Sequence, residues 1–257
     1  MKRWLAAGAI TILAGCASTG PSTSEYAPKS GAETEQQTRA RLHTELASGY
    51  YELGNYGVAL QEANEALKSD ADYAPAYNVL GLVYAELHDD KAAEASFQRA
   101  LRANPLDSDS NNNYGQFLCQ RKREQESIKY FLAALRNPLY TKPDTSWVNA
   151  GVCARQSGDL AAADDYFQKA LKVRPGQPQA LFQMADMAYQ RKNYPEAKSY
   201  LTRLQREITP GAEVLWLALR VERQLGDRNA EASLAFQLRK NFPDSREARA
   251  LAAGQYE

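Results

Sequence analysis

Residues 74–107 read APAYNVLGLVYAELHDDKAAEASFQRALRANPLD, and nearly every apolar position in this stretch returns 34 residues earlier and later. Its small residue Ala93 belongs to a column Ala59, Ala93, Ser127, Ala163, Ala197, Glu231, with spacings of 34, 34, 36, 34 and 34 residues. A second column seven residues further on is Ala66, Ala100, Ala134, Ala170, Leu204, Leu238. Seven residues are two helical turns, so both columns lie on one face of a helix. A fixed period of this length marks a solenoid of helix pairs, in which one pair cannot bury its apolar face alone and stacked neighbours complete the core. Within 74–107, Gly81 and Ala93 are small enough for two antiparallel helices to approach closely. Tyr77, Tyr84 and Phe97 fill the space around that contact, and Pro105 stops the second helix.

The order Tyr77, Leu80-Gly81, Tyr84, Ala93, Phe97, Ala100-Leu101, Pro105 resembles the tetratricopeptide repeat, which implies an all-α, tetratricopeptide-repeat superhelix. The register gives units at 40–73, 74–107, 108–141, 144–177, 178–211 and 212–245, with 246–257 as a C-terminal tail. In unit one the columns are Leu46, Tyr50, Gly54, Ala59 and Ala66-Leu67. Glu231 breaks the small column of unit six, which predicts either a helix rotated onto Ala230 or Ala232 or a solvent-facing cap, the cap being the favoured reading. Two extra residues enter at Asn137 to Pro143, a loop that reads either as punctuation between repeats or as a contact loop. Of Asn111, Asn112 and Asn113, one is expected to cap the helix that opens unit three and the others to face a groove.

The first residues are of another kind. Met1-Lys2-Arg3 is positive, Trp4 to Ile12 is apolar or small, and Leu13-Ala14-Gly15-Cys16 follows. That is the layout of a secretory signal over 1–15, too short for the roughly 20 apolar residues of a spanning helix. The last four residues resemble the bacterial lipobox, which implies cleavage before Cys16 and lipidation of that cysteine. The absence of aspartate at Ala17 implies, by the same resemblance, the outer membrane. Two or more acyl chains anchor stably where one does not. From there to residue 39 the composition of Ser, Thr, Gly, Pro, Glu and Gln reads as a flexible leash.

With 31 basic and 31 acidic side chains the chain has no net field to draw nucleic acid to it. His43 and His88, the two histidines, sit in different repeats without metal-ligand spacing, and no phosphate loop or nucleophile elbow occurs. No metal, cofactor or enzymatic activity is therefore expected. His88-Asp89-Asp90 reads as a solvated turn. Cys119 and Cys153 fall in different repeat columns, which favours two separate buried or half-buried thiols over a disulfide.

Six such repeats behind a lipobox, with residues 112–118 (NNYGQFL), the Asn137 to Tyr140 loop and residues 183–189 (QMADMAY), resemble the PilF/PilW family of type IV pilus biogenesis lipoproteins. Cys119 departs from the aromatic expected there. The resemblance implies a pilotin on the periplasmic face of the outer membrane, binding the type IV pilus secretin and promoting its localisation and multimerisation. The concave face predicted to grip the secretin is built from the first helix of each unit. Its residues are Tyr51; Asn78, Val79 and Leu82; Asn112, Asn113 and Gln116; Val148, Asn149 and Val152; and Phe182 with Tyr189. Amide and apolar groups in this mixture suit a peptide held by backbone hydrogen bonds and side-chain pockets. The alternative is another envelope adaptor, for outer-membrane assembly or peptidoglycan enzymes. The chain is expected to be monomeric.

Overall fold

A computed structural model describes residues 33–256 of the chain; the signal and Cys16 lie outside the described residues. The helices run in antiparallel pairs: α1 (Glu35–Glu52) with α2 (Tyr56–Ser69), α3 (Ala74–Glu86) with α4 (Asp90–Ala103), and α5 (Ser108–Gln120) with α6 (Glu124–Ala134). They continue as α7 (Pro143–Gln156) with α8 (Leu160–Val173), α9 (Pro178–Gln190) with α10 (Tyr194–Glu207), and α11 (Ala212–Leu225) with α12 (Arg228–Asn241), followed by α13 (Arg246–Ala252). Odd-numbered helices pack on one another from α1 to α11, whereas the even helices lie too far apart for backbone contact with one another. The first helices thus form a continuous inner layer, and the second helices splay on the outside, which curves the stack into a superhelix. It is an all-α tetratricopeptide-repeat fold.

The turn inside each pair is one three-residue device used throughout. Gly54, His88, Lys122, Gly158, Lys192 and Gly226 all have φ between 59° and 85°. The next residue's N–H closes back on the helix, as in Asp89 N to Tyr84 O at 2.9 Å and Asn193 N to Ala188 O at 2.9 Å. In four of the six turns the side chain of that residue also caps the second helix, as where Asp89 accepts from Ala92 N, Asp159 from Ala162 N and Asp227 from Ala230 N, each at 3.0 Å, whereas Asn55 and Arg123 make no such bond. The His88 turn is thereby a backbone device, as its polar composition suggested.

Three of the six left-handed positions carry a side chain that this conformation penalises by roughly 1–2 kcal/mol, against roughly 0.5–1 kcal/mol of chain entropy that glycine forfeits. Lys122→Gly and Lys192→Gly are each expected to gain up to about 1 kcal/mol, which raises the thermal midpoint by a few degrees. A scanning calorimetry trace in which both variants melt at or below the parent temperature would contradict this.

The core is a chain of intra-pair contacts between residues sixteen apart. Gly81, Gly115 and Gly151 lie under the rings of Phe97, Phe131 and Phe167, and a Cβ built on them would approach ring carbons to 2.6, 2.8 and 2.6 Å. Unit one pairs Ala47 with Ala63, unit five Ala185 with Leu201, and unit six Leu219 with Ala235, all buried. From unit two onward a small residue on one helix faces a large one on the other, whereas unit one pairs two alanines. The small columns behave as the sequence reading required: Ala59, Ala93, Ala163 and Ala197 are 0 % exposed, and Ser127, also 0 % exposed, donates from Oγ to Gly115 O at 2.8 Å.

Both ends differ from expectation. Helix α1 begins at Glu35, inside the segment read as leash, because Thr34 and Gln37 make reciprocal capping contacts at 3.2 and 3.1 Å. At the other end the supposed tail folds as α13, whose Ala248 and Leu251 cover Leu215, Leu219, Ala235 and Leu238. The cap of the array is therefore α13, the shortened first helix of a seventh unit. Glu231 is only half-buried and pairs with Arg223 at 2.9 Å, on a helix that turns Ala235 and Leu238 inward.

Candidate protein-binding surface

The inner layer brings the expected groove residues together but spends many of them on itself. Asn113 Nδ2 donates to Asn78 Oδ1 at 3.2 Å, joining α5 to α3. Asn112 Oδ1 accepts from Asn149 Nδ2 and from Ser146 Oγ, each at 3.0 Å, joining α5 to α7. The Tyr140 hydroxyl lies 3.4 Å from Ser146 Oγ, so the two-residue insertion delivers an aromatic to this junction, while Leu139 beside it is 84 % exposed. Burial pushes the Tyr140 phenol above its usual range. Further along, Arg155 on α7 reaches Gln183 and Asp186 on α9.

Other expected residues divide by burial. Val79 and Val148 are 5 % and 1 % exposed, so they pack between units and line no open surface. Leu82 is half-buried against Phe97, Tyr114 and Phe117. Tyr51, Val152, Phe182 and Tyr189 are half-buried with one edge outward, and Gln116 is exposed. Burial raises the Tyr51 phenol, and the Glu86 carboxylate beside it raises it further. Neither Asn112 nor Asn113 caps α5; Asp107 does, accepting from Ser110 N at 2.8 Å, while Asn111 donates to the carbonyls of Pro105 and Asp107 at 3.0 and 2.8 Å.

Cys119 on α5 and Cys153 on α7 form a disulfide, with Cα atoms 5.8 Å apart. Comparing columns argued against it because the reading assumed that neighbouring first helices meet column to column. They meet with an offset of up to a turn: Arg155 contacts Asp186 across 31 residues, and Asn112 contacts Asn149 across 37. The insertion before α7 changes the column count by two and leaves the sulfurs adjacent. Closing a loop of this length removes about 3–4 kcal/mol of unfolded-chain entropy.

A second surface was not anticipated. Leu42 and Leu46 on α1 and Leu53 at its C-terminal cap are 49 %, 50 % and 80 % exposed, with Gly49 and Tyr50 between them. Leu46 stands in a column that is core elsewhere: Leu80, Tyr114, Ala150, Met184 and Ala218 are all buried. The column of Leu42 likewise continues through Ala76, buried at 0 %. In later units this face lies under the second helix of the preceding unit, and no described helix precedes α1. Among the described residues this face is left uncovered. The signal was present in the sequence as a core column in a unit with no predecessor.

Models of the tetratricopeptide repeat match residues 44–100, 91–138 and 154–218. The solved structure of PilW, described as a widely conserved type IV pilus biogenesis factor, superposes with a TM-score of 0.74 at 31 % identity, covering 83 % of this chain and 98 % of that one. The chain belongs to the PilF/PilW family of tetratricopeptide-repeat proteins. The type IV pilus assembly protein PilF of Pseudomonas aeruginosa is 28 % identical over 235 residues, 91 % of each chain. Its solved structure gives a TM-score of 0.78, with 86 % of this chain and all of that one covered. The likeness to the PilF/PilW family thus extends beyond the repeat period to the complete array. Among the described residues no three metal-ligating side chains converge, and no helix is long and apolar enough to cross a membrane.

Proposed function

We infer that this chain is a lipid-anchored pilotin of the outer membrane, a non-enzymatic scaffold that binds the type IV pilus secretin and promotes its localisation and multimerisation. One observation carries the reading: among the described residues, the first unit presents uncovered the face that each later unit buries under a neighbour's helix. A partner that supplies an amphipathic helix with apolar residues at i, i+4 and i+7 completes that packing, the helix-in-groove mode of recognition. The family relationship supplies the class of partner, a component of the type IV pilus machine. A lipid on Cys16 would hold the array at the membrane.

Two measurements test the reading. Secretin is expected to co-purify with the chain from solubilised envelopes. Cys16→Ser is expected to leave the helical circular dichroism unchanged while the protein leaves the outer-membrane fraction and secretin multimers fall. Continued outer-membrane recovery of the variant would remove the lipid anchor from the account, and co-purification of barrel-assembly or cell-wall proteins in place of secretin would remove the pilotin role.

A further inference from the structure

The C-terminal end of the inner layer carries a binding subsite that the chain itself fills. Trp216 and Arg223 on α11 stand 34 residues beyond Phe182 and Tyr189, the last groove residues read from the sequence, and so continue the same two columns. After α13 the chain reverses at Gly254, where φ is 67°, and Gln255 N bonds back to Ala250 O at 2.9 Å. This places the Tyr256 ring parallel to Trp216, with centroids 5.7 Å apart and 16° between planes. The Arg223 guanidinium lies 3.9 Å above the same Tyr256 ring. The Tyr256 ring also packs against the apolar cluster that contains Leu215, Ala235 and Leu251. One turn away, Arg220 stacks on Tyr189 at 4.3 Å and has no carboxylate within ion-pair distance among the described residues. Arg228 and Arg239, both exposed, line the cleft beside Tyr256.

We propose that Trp216, Arg220 and Arg223 form a recognition site for an aromatic side chain flanked by carboxylates in an extended partner segment, and that Tyr256 is an intramolecular plug occupying it. The ring of the plug shows what the aromatic slot accepts. Arg223 stacks on the plug while donating to Glu231 at 2.9 Å, so a stacked arginine here still reaches a carboxylate in its own plane, and the exposed Arg228 and Arg239 in the same cleft carry the charge that the plug leaves unused. The site lies on unit six, at the opposite end of the array from α1, so it stands or falls independently of the secretin reading.

A plug that occupies the site in about nine molecules of ten lowers apparent affinity about tenfold. The test uses the full chain and a fluorescein-labelled peptide, Asp-Asp-Tyr-Asp-Asp, followed by anisotropy, with Asp-Asp-Ala-Asp-Asp as control. Tyr256→Ala is expected to bind the tyrosine peptide about tenfold more tightly than the parent chain, and Tyr256→Phe to bind it like the parent, because the ring still stacks. Arg220→Gln with Arg223→Gln added to Tyr256→Ala is expected to erase the gain while circular dichroism remains helical. Equal affinity of Tyr256→Ala and parent, equal binding of the alanine peptide, or a gain that survives loss of both arginines would each overturn the proposal.

Discussion

Gly151→Ala is expected to lose about 1–3 kcal/mol of stability, and Phe167→Leu added to it to recover part of that loss. The new Cβ would lie 2.6 Å from a Phe167 ring carbon, closer than any real contact, and the ring is 0 % exposed, with packed neighbours from two units around it. Phe167→Leu alone opens a cavity and costs in its own right, while Phe167→Ala costs about 3–5 kcal/mol. In the double variant the two errors compensate, because the resulting pair, Ala above Leu, is the one that unit five already uses at Ala185 and Leu201. A double-mutant cycle by urea unfolding reads the coupling as a double variant more stable than the sum of the singles. Additive costs would show that the sixteen-residue pair does not set the helix spacing. Hydrogen exchange adds a spatial check, since contacts pass between neighbours and protection should fall in units three to five before unit one.

Leu46→Glu on α1 is expected to abolish secretin capture while leaving the array folded. Leu46 is 50 % exposed, so a carboxylate there reaches water in the free protein. In a complex with a helix seated on Leu42, Leu46 and Leu53 the same carboxylate is buried without a partner. Truncations at the centre of such interfaces cost about 2 kcal/mol or more, and a buried unpaired charge costs more still, so affinity should fall at least thirtyfold. Co-purification and titration with a peptide carrying the docking helix give the measurement, with thermal unfolding as the control. Undiminished binding by a folded Leu46→Glu chain would move the interface to the inner layer, where Gln116, Val152 and Phe182 are the accessible candidates.

The α1 surface also shows why part of the site was illegible in sequence. A column of leucines looks the same whether or not a neighbour covers it, and Leu46 reads as core until the position of α1 at the end of the stack is known. The groove was over-read for the complementary reason. Asn78, Asn112, Asn113 and Asn149 lie on the inner layer, but spacing along one chain does not reveal that neighbouring helices satisfy these amides mutually.

Period alone determined the all-α repeat fold, the small columns at Ala59 and Ala66 and their successors, and the polar turns, because each of these depends on contacts within one helix pair. Sequence spacing is a direct record of geometry at that range. Only the tertiary structure decided the Cys119–Cys153 bond, the seat of Tyr256 on Trp216, the cap by α13 and the exposure of Leu42 and Leu46. These depend on the axial offset between successive first helices and on which units lack a neighbour, and those quantities arise from packing between repeats.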